Sequence, residues 1–232
     1  MVSKTSKSKE KKALRKEHLA KLGAAQQLLN KANDPNNQHL DNFPPFKKFS
    51  RNGNDLSIEC KHSDKLDTES FDAIFKLLET NMKPEYEACD WGWNEKEKIA
   101  EFKEKDPWFL IARDTTTQVI GAFAHFKFDF DEGIEVLYCY EVQVTDEFRS
   151  RGIGKFLMQI LELIGSKASM QKIMITVFKH NNRAVHFFAD ILKYKDDETS
   201  PKFMDPIAGV EEEEYCYDIM SKPLKKAAPG KT

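Results

Sequence analysis

Two features of this sequence could do chemistry together. One is a carboxylate set inside an alternating stretch, Glu141. The other is a glycine-bearing turn just beyond it, Arg149-x-x-Gly152-x-Gly154. A carboxylate is disfavoured inside a strand and needs a reason to be there. A general base is one reason, and a solvated or ion-paired strand residue is the other. Glycines at a helix start let the backbone approach a ligand and leave N–H groups without intrahelical acceptors. Those donors, with the positive end of the helix dipole, receive an anion. Arg149, Arg151 and Lys155 add charge of the kind that holds phosphate. The turn is not a Walker loop, because position 149 is Arg where that loop needs Gly, and Phe156 follows Lys155 where Ser or Thr belongs. It is not the dinucleotide fingerprint either, because the third glycine position is Leu157.

The elements that must position these groups can be read from periodicity. Val136, Tyr138, Tyr140, Val142 and Val144 alternate with Leu137, Cys139, Glu141 and Gln143, a strand pattern. Thr145-Asp-Glu breaks it. From Gly152, the residues Ile153, Phe156, Leu157, Ile160, Leu161 and Ile164 form one helical stripe. In a regular strand Tyr138 and Tyr140 share a face and Glu141 points the opposite way. A bulge would be needed to bring all three to one site.

The chain has 232 residues, 40% hydrophobic, and a formal charge of −2. That allows one good-sized domain with a tail. Residues 1–21 hold eight Lys or Arg against two Glu, and Glu211 to Glu214 form an acidic run. The basic run has three readings: a solvated tail, a nuclear-import signal or a nucleic-acid contact. It lacks interleaved aromatics, which argues against direct nucleic-acid binding. No apolar stretch is long enough for a membrane span, the N-terminus has no signal-peptide core, and Val2 excludes N-myristoylation. Cys60, Cys89, Cys139 and Cys216 are scattered, so reduced thiols in cytosol or nucleus are expected. The six histidines do not join them at metal-ligand spacing, and no metal is expected.

Along the chain, residues 1–12 read as a disordered Lys/Ser tail and Ala13 to Lys31 as a helix, either an arm on the core or a free basic helix. Asn33-Asp-Pro-Asn-Asn ends it. Leu56 to Cys60 reads as the first strand, Asp67 to Met82 as a helix with a cap at Asp67-x-x-Ser70, and Asn94 to Lys103 as a short helix. Trp108 to Arg113 and Val119 to Phe130 read as strands, with Asp131-Glu-Gly133 as a turn. Gln171 to Phe178 is a strand, Asn181 to Leu192 a helix and Tyr215 to Met220 a last strand. Meander strands followed by a strand–helix–strand crossover predict an α/β fold, a mixed sheet covered by helices.

An Arg-x-x-Gly-x-Gly turn opening a helix, in this element order, resembles the pyrophosphate loop of the GNAT superfamily of N-acetyltransferases. Asn181-Asn-Arg-Ala184-Val-His-Phe187 fits a second element of that family. The resemblance implies a centrally splayed sheet over roughly residues 50–220 and acetyl-CoA as cosubstrate. The cosubstrate would lie where the strands at 136–144 and 171–178 part, along Val142, Gln143 and Val144, with its pyrophosphate on Arg149, Ser150, Arg151, Gly152, Ile153, Gly154 and Lys155, and with Asn181 nearby. Two departures stand out: Phe188 replaces the usual Tyr, a common general acid, and Lys193-Tyr194 replaces the usual Gly-Phe that closes the helix.

Trp91-Gly-Trp93, Leu137-Tyr-Cys-Tyr-Glu-Val142, Gly152-Ile-Gly-Lys-Phe-Leu157 and Thr176-Val-Phe-Lys-His-Asn181 resemble the histone-specific N-alpha-acetyltransferases of the NatD type. That match implies a basic tail and helical arm over 1–42, an acetyltransferase domain over 43–221 and a tail over 222–232. It implies acetyl transfer to the N-terminal tails of core histones of types four and two-A, which begin Ser-Gly-Arg-Gly, by a monomer in nucleus and cytoplasm. It puts the general base at Glu141, acting through water. Tyr140 or Tyr138 is the candidate acid for the departing CoA thiolate. Asp129 and Asp131, which composition alone would assign to turn chemistry, would hold the substrate's backbone or its arginine. Tyr86, Trp91, Thr176, Thr199, Tyr140 and Tyr217 would line the peptide path; on residue type alone Trp91 reads as core. Cys139 could be imagined as an acyl-accepting nucleophile, but no partner His is evident, and it reads as a packed strand residue.

Two other readings compete. One is an enzyme of the same fold that acetylates lysine side chains or small amines. The other is a non-catalytic chromatin-binding module.

Overall fold

A computed structural model describes residues 4–104, 106–203 and 215–225. The acidic run at Glu211–Glu214 and the end of the C-terminal tail lie outside the described residues. The element order is α1 (Lys4–Ala32), β1 (Lys48–Arg51), β2 (Asn54–His62), α2 (Thr68–Glu87), α3 (Glu95–Phe102), β3 (Trp108–Asp114), β4 (Ile120–Asp131), β5 (Ile134–Val144), α4 (Ile153–Lys167), β6 (Lys172–Phe178), α5 (Asn182–His186), β7 (Lys195–Asp196) and β8 (Tyr217–Pro223). The strands form one sheet in the order β1-β2-β3-β4-β5-β6-β8-β7. β5 and β6 pair in parallel; the neighbouring pairs are antiparallel. This is the mixed α/β sheet with flanking helices that the periodicity predicts.

Alternation along the central strands sorts the two faces. Trp108, Leu110, Ala112, Phe126, Phe128, Leu137 and Cys139 pack with α4 and the end of α1 in one core. Phe109, Ile111 and Phe123 pack with Ile74, Leu77 and Leu78 of α2 and Phe102 of α3 in the other. With both faces covered, β3 is buried along Trp108–Ala112, as a doubly covered strand must be. Each fully buried Ile or Leu here contributes roughly 1.5–3 kcal/mol.

Several boundaries depart from the expectations. Helix α1 begins at Lys4, not near Ala13, because nothing in the Lys/Ser/Glu/Ala run breaks a helix. The arm is packed at its end: Ala25, Leu29 and Ala32 are buried, and the Asn33 side-chain amide donates to the Phe128 carbonyl at 2.9 Å. Leu14 and Leu19, further up the helix, are exposed. The first strand is β1, which forms a hairpin with β2 through Asn52-Gly53, both at positive φ. That dipeptide is a hairpin signal. Helix α2 runs five residues beyond Met82, and its N-cap is Asp67, which accepts from the Ser70 amide at 2.8 Å. The helix expected over Asn181–Leu192 becomes a π-helical turn at Phe187–Ile191. β8 starts at Tyr217 and continues to Pro223, and Leu224 donates its amide to the Gln171 carbonyl at 2.9 Å, so the chain stays on the domain past residue 221. Among the described residues no helix is long and apolar enough to cross a membrane.

Candidate active site

β5 and β6 pair only from Val136/Lys172 to Cys139/Ile175. Beyond that point they part, while β6 stays bonded to β8 through Phe178. The backbone of β5 from Tyr140 to Val144 is therefore open on its β6 side. Sequence periodicity could not show this, but the resemblance implied it.

The ladder between β4 and β5 slips at the same place. His125 pairs with Glu141 and Phe126 with Cys139, leaving Tyr140 without a partner. One extra residue in a strand shifts the alternation after it. Tyr138 stands opposite Lys127 and Glu141 opposite His125, so both face the α2–α3 side. The rings of Tyr138 and Tyr140 are 4.9 Å apart. This is the bulge that a shared site required.

A cleft of about 1100 Å³ runs past these residues to the start of α4. Tyr86, Trp91, Tyr138, Tyr140, Glu141, Thr176 and Asn181 line it, with Val142, Gln143 and Val144 of the open strand and Arg149, Ser150, Gly152, Ile153, Gly154 and Lys155 of the turn. Trp91 is a rim residue and not core, 51% exposed, with Phe178 and Tyr217 at 5.4 and 5.0 Å. Tyr217 supports Trp91 from behind and is not itself in the lining. Thr199 is also away from the cleft: its amide and hydroxyl donate to Asp197, which pairs with Lys172 at 2.6 Å. Asp129 and Asp131 lie beyond Lys127 on the Tyr138 face of the sheet, outside the cleft lining. One oxygen of Asp131, Oδ2, is buried without a hydrogen-bond partner among the described residues, and burial raises this carboxyl above the usual range.

The turn has a left-handed Ser150 and a left-handed Gly152 as the α4 N-cap, at φ 92°. It is braced by the β1–β2 hairpin: Asn52 donates to the Arg151 carbonyl at 2.8 Å, and Arg151 donates to Asn54 at 3.2 Å. The Arg151 side chain therefore points away from the cleft. The Arg149 guanidinium is also committed, to the Val144 carbonyl, Asn81 and Asp146. The Ile153 side chain is core, 1% exposed, so only its backbone can serve a ligand. What the turn offers an anion is the first amides of α4, which have no intrahelical acceptor, with Lys155 beside them. Arg183 of α5 also lines the cleft. Asn181 uses its side-chain oxygen to cap α5 at Ala184. Lys193, at the position where the resemblance implied glycine, takes a left-handed φ of 64°, the helix-closing conformation that glycine usually supplies.

Glu141 is the titratable centre. Burial raises its carboxyl to about 7, opposed by a hydrogen bond from Gln143 and by Lys98. Its opposite number His125 is stacked on Phe102 and Phe109 and is held neutral, its pKa lowered to about 3 by burial. Burial raises the Tyr138 and Tyr140 phenols, and the Tyr138 and Thr176 hydroxyls are 2.5 Å apart. Cys139 faces α4, 4.0 Å from the Met158 sulfur, and burial raises its thiol. It borders the cleft but lacks the ionisation of a nucleophile. Sequence reasoning missed Asn81, Lys98, His125 and Arg183. Lys98 and His125 sit in elements that carry no motif, and Asn81 and Arg183 lie within matched runs that assign them no role; only the tertiary fold aims each of them into the cleft.

The profile of the Acetyltransferase (GNAT) family matches residues 71–194. Among solved structures the chain is similar to the ribosomal-protein-S18-alanine N-acetyltransferase of Escherichia coli, at 16% identity and a TM-score of 0.52 over 76% of this chain and 98% of that one. A Staphylococcus aureus acetyltransferase of the GNAT family gives 11% identity and a TM-score of 0.54 over 73% of this chain and 100% of the other. A chain of the NatC complex bound to Gag peptide and CoA gives 15% and 0.51 over 72% and 99%.

Proposed function

This chain belongs to the acetyltransferase (GNAT) family, and from that premise we propose that it is a protein N-terminal acetyltransferase of the histone-specific NatD type. Its acceptors are the α-amines of core histones of types four and two-A. The observation that carries the reading is the position of Glu141: a carboxylate with a pKa of about 7, on the face of Tyr138, in the cleft that ends at the α4 amides. The sequence runs that resemble the NatD type, around Trp91, Tyr138–Val142, Gly152–Lys155 and Thr176–Asn181, all contribute to that one cleft.

The site suits acetyl-CoA. The open edge at Tyr140–Val144, apart from the Val144 carbonyl that Arg149 and Asn81 occupy, can bond an amide-bearing arm, and the amides of Gly152–Lys155 can receive its diphosphate. Bound there, acetyl-CoA supplies a thioester carbonyl. Glu141 takes up the amine's proton through water. An α-amine has a pKa of about 7.7–8.0 against about 10.4 for lysine, so a base near 7 is matched to the former. Tyr140 and Tyr138 remain protonated and can donate to the departing thiolate, whose pKa of about 8.5 asks little of an acid. Asp129 and Asp131 share the Tyr138 face of the sheet, and a carboxylate there suits the arginine in the third position of Ser-Gly-Arg-Gly. With histone tails as acceptors, the protein acts as a monomer in cytoplasm and nucleus.

The test compares a peptide that begins Ser-Gly-Arg-Gly and carries a lysine further along, with free and with blocked N-terminus, each with acetyl-CoA, by mass spectrometry. A mass gain on the free peptide alone is expected. Acetylation of the blocked peptide at lysine, or tight binding with no mass gain, would overturn the reading.

A further inference from the structure

Four polar side chains run in an unbroken chain from the cofactor turn to the base. Arg149 Nη2 donates to Asn81 Oδ1 at 2.6 Å. Asn81 Nδ2 donates to Gln143 Oε1 at 3.0 Å and to the Val144 carbonyl at 3.2 Å. Gln143 Nε2 donates to Glu141 Oε2 at 2.7 Å. The direction of the chain is forced by its ends. A guanidinium only donates, so Asn81 must offer it oxygen, and a carbonyl only accepts, so the Asn81 amide must face Val144. Gln143 is then obliged to receive with its oxygen and give its N–H to Glu141. Gln143 is 7% exposed, so an unmatched amide there would be costly.

We propose that Gln143 is the positioning residue of the base and that Asn81 sets its polarity. Together they fix one carboxylate oxygen of Glu141, leave the other for the proton-carrying water, and tie the base to the turn that receives the cosubstrate. The inference rests on the reading of Glu141 as base. A donated N–H favours the ionised carboxylate and works against burial. Four titratable neighbours keep one protonation state across the Glu141 range. Lys98 of α3 has its pKa raised, Tyr86 of α2 is pushed up to about 12 and His125 of β4 is neutral; on the opposite face of β5 the Cys139 thiol is raised by burial. Glu101 of α3 adds a like charge at a distance.

The test titrates the Glu141 carboxyl directly, by carbon-13 NMR of protein labelled at glutamate, with Glu141→Gln assigning the signal. Gln143→Leu should move that titration up by about one unit, and the acidic limb of kcat/KM should move with it. Asn81→Ala should move it the same way by less, and should add nothing in the Gln143→Leu background. If the Gln143 variant does not fold, Gln143→Met and Asn81→Ala read the same shift. A Glu141 titration unchanged in these variants, or an Asn81 effect that persists without Gln143, would overturn the proposal. The titration needs no turnover. A protein inactive on every amine would therefore sink the functional reading, while the NMR still decides the role of Gln143.

Discussion

Tyr138 and Glu141 are three residues apart on one strand, yet they face the same side of the sheet, because Tyr140 between them has no partner on β4. The same slip leaves Tyr140 43% exposed at the mouth of the parted strands. Proposed base and candidate acid are thus brought together by one inserted residue.

From this placement, Tyr140→Phe should lower kcat about tenfold, below the usual worth of a general acid because the thiolate leaves readily. KM for acetyl-CoA should hold. Steady-state kinetics check it, and full activity would remove Tyr140 from the proton path.

Glu141 should also mark the stability of the fold. Its folded pKa of about 7 lies above the ordinary carboxylate value of about 4.3. Stability is then greatest below the unfolded pKa, where both states are protonated, and falls as pH rises toward the folded pKa. Glu141→Gln should therefore stabilise the protein at pH 8 by about 1–3 kcal/mol and change little at pH 4. Thermal melts at the two pH values measure it.

The turn at α4 depends on a left-handed N-cap. Gly152→Ala places a Cβ at φ 92° and should cost about 1–2 kcal/mol. It should also weaken CoA binding, because the α4 amides are displaced. Calorimetric titration with CoA, beside a melt, separates the two effects.

The end of α1 should behave as part of the domain. Leu29→Ala should cost about 2–3 kcal/mol, and Asn33→Ala about 1–2 by leaving the Phe128 carbonyl unmatched. Substitution of the exposed Leu14 should be neutral in urea unfolding.

Much of this was legible in the residues. The cap at Asp67, the strand–turn–helix around Gly152 and the existence of strand β5 follow from local rules, and these elements frame the site; the slip at Tyr140 does not. The β1–β2 hairpin was also written in the chain, as Asn52-Gly53, but its flanking strand is only four residues long and makes a weak periodic signal. Arg149 reads as a phosphate ligand from its neighbours in sequence. Its actual partners, Asn81 and Asp146, include one from a helix 68 residues away, which no local pattern encodes. Thr199 and Tyr217 were expected on the peptide path by resemblance alone. The former turns to Asp197, and the latter backs Trp91.

The most direct measurement is the pH dependence of kcat/KM on the Ser-Gly-Arg-Gly peptide, for the protein and for Glu141→Gln. The wild-type value should rise through pH about 7 and then level off, and the variant should lose about a hundredfold or more while retaining its fold and its affinity for CoA. A variant with the wild-type profile would contradict the assignment of Glu141 as the base.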